Sequence, residues 1–544
     1  MYHQKQGVLI MDDQLKHMTG QVAKGTMTRR EFVGRAAALG VTAAVANSML
    51  ANNAQAAAHE APIRGGTLKI GSSGGESTNT LDPALTASEV PLNNLRHLYE
   101  SLVEVDPNGK IENRMAESYE ASADAKTWAF KIRKGVQFHN GKDMTPEDVL
   151  KTMQRHSNED SQSGALGIMR GIENMKVDGD NFIVELGVGN ADLPYLLADY
   201  HLMIQPDGGM DNPGAGIGTG PYTLEVDEPG VRHGFKRNEN YWDADNRGHT
   251  DYNEVLVLND ATARTAALQS GQVNMINRVD PKVAALLDRA PNLSVKSVAG
   301  RGHYVFIAHI DTAPFDNNDL RLALKYAINR EEMVDKILRG YGTIGNDMPI
   351  NASYPLFDDT IPQREYSVEK AKEHYAASGH DGSPIILRVS DGAFPGAVDA
   401  ASLFQESAKA AGIPLEIKRE PNDGYWSEVW NKQPFCASYW GGRPVQDQMY
   451  STAYLSTADW NDTRWKRPEF DDMLLSARAE LDEAKRKEIY SKMGQMVRDE
   501  GGLILPMFND FVDGVANNVG GWVVDPNAEM SNNKAGIKCW VKDA

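Results

Sequence analysis

The chain has 544 residues, enough for two or three domains with a large core. Hydrophobic residues make up 41% and charged residues 24%, the balance of a soluble globular protein. The formal net charge of −19 argues against nucleic acid or an anionic membrane as partner, so an anionic ligand must be met by local cations rather than by the overall field.

The first sixty residues read as an export signal. Thr28-Arg29-Arg30-Glu31-Phe32-Val33-Gly34 precedes a mildly apolar run from Ala36 to Ala51, and Ala54-Gln55-Ala56 supplies an A-x-A cleavage site. The paired arginines resemble the twin-arginine export motif, with Gly34 where lysine is usual. The signal is assigned to residues 1–56, which carry three more basic than acidic groups; cleavage takes the charge from −19 to −22. Met27 offers a second possible start. The apolar run is too short and too rich in small polar residues for an anchor, and no other stretch approaches the roughly 20 apolar residues of a membrane helix. A periplasmic protein is expected. Two cysteines, Cys436 and Cys539, are too few for a disulfide framework. Cys436 is read as a buried strand residue, with a bridge as the other option.

In chain order, Gly65 to Gly71 reads as a short strand entering a polar loop. Leu92 to Val105 reads as an apolar-periodic helix closing on the turn Asp106-Pro107-Asn108-Gly109. Trp128 to Arg133 alternates apolar and polar, the pattern of a half-buried strand. Thr145-Pro146-Glu147-Asp148 starts a helix, with threonine as cap and proline at the first helical position. Gly214 to Gly220 is followed by Pro221 and Tyr222 rather than a helix, so it reads as a turn into a strand and not as a phosphate loop. Asp319 is read as the cap of a helix, and Asn329-Arg330-Glu331-Glu332 as the capping box of a second helix ending at Gly340. Ile489, Met493, Met496 and Val497 form a helical stripe before Gly501-Gly502, and Leu503 to Phe508 reads as a buried strand. Alternating strands and helices argue an α/β chain with covered sheets.

The stretch Phe435 to Tyr450, FCASYWGGRPVQDQMY, is the best candidate for a ligand wall. A short buried strand ends in Tyr439 and Trp440, and Gly441 and Gly442 let the backbone turn sharply. Arg443 follows, a guanidinium able to grip a carboxylate with two parallel hydrogen bonds. The histidines are scattered, and neither HExxH nor a metal-spaced cysteine pair occurs.

Leu98 to Met153, with Gly218-Thr219-Gly220-Pro221-Tyr222, Phe235 to Trp242, Ala266 to Val273 and Phe315 to Glu331, closely resembles the peptide-type (cluster C, peptide/nickel) solute-binding proteins of ABC importers. The resemblance covers nearly all of the chain after the signal. It implies an α/β, two-lobed periplasmic-binding-protein fold of the large type II class, with an extra subdomain in the first lobe at about 95–225. Lobe I is expected over 57–306, lobe II over 307–505, and a return to lobe I over 506–544. Strands near Tyr304–Ala308 and Leu503–Met507 would span the cleft floor, and hinge closure would trap the ligand. In the dipeptide-binding branch a tryptophan–glycine turn leads to an aspartate that holds the peptide amino terminus; here Arg443 takes that place. The loop that carries an arginine for the peptide carboxylate has Asp391 instead. Both departures point to a ligand with an anionic group near Arg443 and a cationic or hydroxyl group near Asp391. The same logic nominates Tyr439, Trp440, Gly441, Gly442, Phe394, Trp426, Ser72, Ser73, Gly74, Asn346 and Asp347 as lining residues.

The implied role is a non-enzymatic receptor, monomeric and without cofactor, for a peptide, opine-like conjugate or sugar acid, with ABC transporter membrane subunits as partners. An exported hydrolase or cofactor enzyme, or a periplasmic peptide chaperone using the same cleft, is the alternative.

Overall fold

The computed structural model describes residues 61–542, Glu159, Asp423 and Leu481 excepted. The export signal lies outside the described residues. Among the described residues no helix is long and apolar enough to cross a membrane.

One eleven-stranded mixed sheet runs through both lobes. At its centre the strand Leu293–Ala308 pairs antiparallel with Leu503–Ala516 on one side and with Phe435–Trp440 on the other. Leu503–Ala516 is buried over most of its length, whereas in Leu293–Ala308 the polar first half is largely half-buried and the second half, from Gly300, is buried. Their register is broken between Ala299 and His303. Here Gly300 and Gly302 sit so close to Phe511 and Asn509 that a Cβ at Gly300 would lie 2.3 Å from the Phe511 ring. The crossing therefore consists of a bulged pair of strands with their pairing interrupted, the local geometry expected of a bend.

On the first-lobe side Thr67–Ser72 pairs parallel with Tyr252–Val257 and with Met275–Ile276. On the second-lobe side Ile385–Val389 pairs parallel with Leu415–Arg419. Two apolar clusters of the second lobe draw on residues between Val305 and Phe508. Two of the first lobe draw on residues from Leu68 to Leu293 together with Val512 to Val541. A fifth cluster, Leu102 to Ile204, lies against a separate antiparallel sheet of four strands. In that sheet Thr127–Ile132 points Trp128, Phe130 and Ile132 inward, as the alternation predicts.

Local chemistry sets the helix ends. The Thr145 side chain accepts from the Asp148 N–H, and the Asp148 carboxylate accepts from the Thr145 N–H at 2.9 Å, a reciprocal cap on Pro146–Ser157. Three readings of the sequence are corrected. The helix Asn318–Ala327 is capped by Asn317 rather than Asp319. The next, Arg330–Lys336, is capped by Asn329 but stops short of Gly340. The helix Glu89–Leu98 begins earlier than Leu92 and gives way to a strand, Val103–Val105. Both cysteines are free and buried, and burial pushes the Cys539 thiol up to about 12.

Candidate ligand-binding cleft

Residues of the central strands and of the elements beside them line a cavity of about 80 Å³. From the second lobe it is walled by aromatic rings. Tyr304 and Phe394 stack at 4.3 Å between centroids, nearly parallel, and Tyr439 stands beside them on the paired strand. Trp426 packs edge-on against Tyr439 at 5.4 Å, behind the wall rather than in it. Trp440 and Gly441 complete this side. The Trp440 indole N–H donates to Asp462 at 3.2 Å, as Trp430 does at 2.9 Å, and burial pushes the Asp462 carboxyl up to about 7.

The first-lobe wall is charged. Arg278 donates from Nε to Glu529 at 2.9 Å and from Nη2 to Glu89 at 3.2 Å, and its guanidinium lies 5.2 Å from the Tyr439 ring centre. Behind them Asp513 accepts from the Met530 N–H at 2.8 Å. Burial raises the carboxyls of Asp513, to about 7, and of Glu529, well above the usual range; Arg278 opposes both shifts, and Glu89 adds to both. The Arg278 guanidinium is thus already taken by Glu89 and Glu529. Met530 to Asn533 all have positive φ, a left-handed turn that L-residues adopt at a cost of about 1–2 kcal/mol each. Asp513 and Arg278 brace its start.

Arg443 follows the turn beyond Trp440. Gly442 has φ +81°, and a Cβ there would lie 2.3 Å from the Arg301 Cβ, so the turn requires glycine twice over. The Arg443 N–H donates to the Tyr354 hydroxyl at 3.0 Å, and Nη1 donates to the Gly442 carbonyl at 2.7 Å. Its guanidinium lies 5.8 Å from the Trp440 ring centre. The buried Nε has no partner, and no carboxylate among the described residues forms an ion pair with Arg443. Burial works against the charge of Asp199, but His201 and then Arg443 hold its carboxyl below the ordinary value.

Other nominated residues have different surroundings. The exposed Asp391 accepts from the Val398 N–H at 3.3 Å, at the start of the helix Ala397–Ala410, and so ends a helix rather than lining the cavity. Asp347 is fully buried between Arg330 at 2.6 Å and Arg364 at 2.9 Å and also accepts from the Leu505 N–H. Asn346 is tied to the backbone of Arg364 and Pro362. Both belong to the interior of the second lobe. Ser72, Ser73 and Gly74 are bound to their own lobe: the Ser73 N–H donates to Asn277 and the Gly74 N–H to Asn259. The Gly74 carbonyl accepts from Val90, which sets the helix start that presents Glu89 to the cavity. Glu89, Arg278 and Glu529 escaped the sequence reading, since nothing local marks them, whereas Tyr304 starts a strand expected at the cleft floor. Among the described residues no group of three His, Cys, Asp or Glu side chains could hold a metal ion.

Two lobes joined by crossing strands, with a cavity walled from both, define an extracellular solute-binding protein. The chain belongs to the bacterial extracellular solute-binding proteins, family 5, whose model matches residues 110–462. It is 24% identical to the dipeptide-binding protein of Escherichia coli K12 over 486 residues, 81% of this chain and 88% of that one. It superposes with a TM-score of 0.79 on the binding protein AgaA of A. tumefaciens R10 in complex with agropinic acid, at 22% identity over 88% of this chain and 99% of that one. DppA of Helicobacter pylori in complex with the peptide STSA gives the same score, at 20% identity over 88% and 99%.

Proposed function

We propose that the protein is a periplasmic receptor that captures a small anionic, amino-acid-derived or peptide-like solute between its lobes and hands it to the membrane subunits of an ABC importer. The observation that supports the anionic character is Arg443, two residues past the wall residue Gly441, a half-buried guanidinium whose buried Nε has no partner and which forms no ion pair with a carboxylate among the described residues. A buried guanidinium nitrogen left unpaired is costly unless a ligand supplies the acceptor. The relatives fit this range of solutes, since their names and complexes include dipeptides, agropinic acid and glutathione. The cavity of about 80 Å³ is smaller than the roughly 300–1,000 Å³ of small-molecule pockets. Solute entry therefore requires the lobes to part and close again, and the interrupted pairing at Ala299–His303 is the place to bend. No covalent step is needed.

Native mass spectrometry of the protein as isolated identifies the solute, and calorimetric titration with it tests the site. Truncating one partner of a desolvated charge pair costs about 2–5 kcal/mol, so Arg443→Ala weakens binding by about one to four powers of ten. Arg443→Lys restores only part, because an ammonium cannot make two parallel hydrogen bonds. Unchanged affinity in a folded Arg443→Ala protein removes the anionic reading. The twin-arginine route is tested separately: Arg29→Lys with Arg30→Lys leaves precursor in the cytoplasm, and normal periplasmic accumulation rejects that route.

A further inference from the structure

Charged side chains are few in the cavity wall. Among the described lining residues they are Glu89, Arg278, Asp510 and Glu529, three carboxyls to one guanidinium. Asp510 accepts from the Ser297 hydroxyl at 2.7 Å. Both Glu529 oxygens accept from Arg278 Nε, at 2.9 and 3.2 Å, and Glu89 Oε1 accepts from Arg278 Nη2 at 3.2 Å. That leaves Glu89 Oε2, which is buried and has no partner. Arg264, the other guanidinium near this cluster, is spent on the backbone carbonyls of Leu258, Asn259, Asn277 and Arg278. Buried polar atoms in native proteins are nearly always satisfied, so an open carboxylate oxygen in a cavity wall marks a place where a donor is supplied.

The protein's own substitute is a proton. Glu89 and Glu529 grip the same guanidinium, and two carboxyls in one site resist ionising together. Burial, with Glu89 and Asp513 adding to it, raises the Glu529 carboxyl well above the usual range against the pull of Arg278. The charged and titratable groups facing the pair are Arg278 and Arg264, Asp513 on the strand Leu503–Ala516, and Tyr304 and Tyr439 on the two strands beside it. The rings suit a cation as well. Tyr439 already holds one, the Arg278 guanidinium at 5.2 Å from its ring centre, and Tyr304 and Phe394 stack beside it in the same cavity. Aromatic faces combined with carboxylates are the surroundings that hold an organic cation.

We propose that Glu89 and Glu529, beside the rings of Tyr304 and Tyr439, form a subsite for a cationic group of the solute, an ammonium or a substituted amine. This rests on the reading of the cleft as a solute receptor and deepens it: the solute that meets Arg443 through an anionic group carries an amine too, and is a zwitterion. The ammonium N–H donates to Glu89 Oε2, and the proton held by the carboxyl pair leaves to solvent. Charge then balances, two carboxylates against Arg278 and the solute cation. Because Glu89 and Glu529 belong to the first lobe and Tyr439 to the second, the cation meets both lobes at once, and its differential affinity for the closed state favours closure.

The test uses the mature chain and three variants, Glu89→Gln, Glu529→Gln and Arg443→Ala, with methylammonium, alanyl-alanine and N-acetyl-alanyl-alanine as probes at an ionic strength held constant with sodium chloride. Thermal midpoints and calorimetric affinities are read. Methylammonium is expected to raise the wild-type midpoint beyond sodium. Alanyl-alanine is expected to bind at least about tenfold tighter than its acetylated form, which lacks the cation, and to release about one proton at pH 7, read from the heats in phosphate and in Tris. Glu89→Gln is expected to lose at least about tenfold in alanyl-alanine affinity without lowering the ligand-free midpoint, because Arg278 keeps Glu529. A purely structural ion pair predicts the reverse. Glu529→Gln loses a similar factor in affinity. The proposal is overturned if neither methylammonium nor alanyl-alanine stabilises the protein, if the acetylated peptide binds as tightly as the free one or tighter, or if Glu89→Gln lowers the ligand-free midpoint or leaves the affinity unchanged. Binding of the acetylated peptide that is lost in Arg443→Ala, with no response to methylammonium, removes this proposal and leaves the anionic reading standing. A methylammonium response that is lost in Glu89→Gln, with alanyl-alanine binding indifferent to Arg443→Ala, removes the anionic reading and leaves the cation subsite standing.

Discussion

Asp347 distinguishes a structural carboxylate from a ligand contact. It is fully buried, with Arg330 at 2.6 Å, Arg364 at 2.9 Å and the Leu505 N–H at 3.0 Å. The two arginine side chains are 3% and 2% exposed, so no water replaces the carboxylate when it is removed. Breaking a buried pair costs about 3–5 kcal/mol, and the stranded Leu505 N–H adds about 1–3 kcal/mol. Arg364 keeps Asp499 at 2.6 Å, which offsets part of the loss. Asp347→Ala is therefore expected to destabilise the second lobe by about 4–6 kcal/mol, a fall in thermal midpoint on the order of 10 °C. Asp347→Asn keeps an acceptor for Leu505 and loses less. Burial alone would raise the Asp347 carboxyl, but Arg330 and Arg364 overcome it and hold the group below its ordinary 3.8. Its stabilisation is thus present above pH 3.8 and is lost as pH falls through the folded-state value, so wild type and variant converge in acid. The assay is urea unfolding of both proteins from pH 3 to pH 8. A variant as stable as wild type that has lost only solute binding would refute the structural assignment.

Asp462 behaves with the opposite sign. Burial lifts its carboxyl from 3.8 to about 7, so folding favours the protonated form, and its contribution is lost as pH rises through about 7. Asp462→Asn keeps an acceptor for the Trp430 and Trp440 indoles; its stability gain over wild type should grow from pH 4 to pH 7 and then level off, at no more than roughly 4 kcal/mol. A gain that is flat with pH refutes the shift. Gly442→Ala must hold φ near +81° and push its Cβ into Arg301. A loss of about 2–4 kcal/mol in urea unfolding is expected, and less than about 0.5 kcal/mol would show that the turn relaxes.

What the sequence disclosed and what it hid follow one division. Features decided by neighbours in the chain were legible: the Thr145-Pro146 cap, the alternation of Thr127–Ile132, and the buried run from Leu503. The helix at Leu92 was drawn too long because the apolar pattern continues through Leu102, Val103 and Val105 with no Gly or Pro to mark the break at Tyr99. The cap of Asn318–Ala327 was misplaced because Asp316-Asn317-Asn318-Asp319 offers four capping residue types in a row. At the cleft the aromatic strand end and its glycine turn were legible, since both are local. The charged wall was not: Glu89, Arg278 and Glu529 are distant in sequence and meet only through the sheet. Asp347 and Asp391 were taken for lining residues because a carboxylate in a loop looks alike whether it meets a ligand, an arginine pair or a helix start.

The balance of charge in the cleft also follows from the chain as a whole. A protein of net charge −19 repels an anion at long range, although at physiological salt that field is screened beyond about 8 Å. Selection among anionic solutes must then occur within a few ångströms, where water is excluded and a guanidinium fork is strong and directional. Arg278, which lines the cavity, is held by Glu89 and Glu529, whereas Arg443, at the turn beyond Trp440, forms no ion pair with a carboxylate among the described residues. If Arg443 meets the solute as proposed, a local unpaired guanidinium is how a receptor with an unfavourable overall field can still prefer an anion.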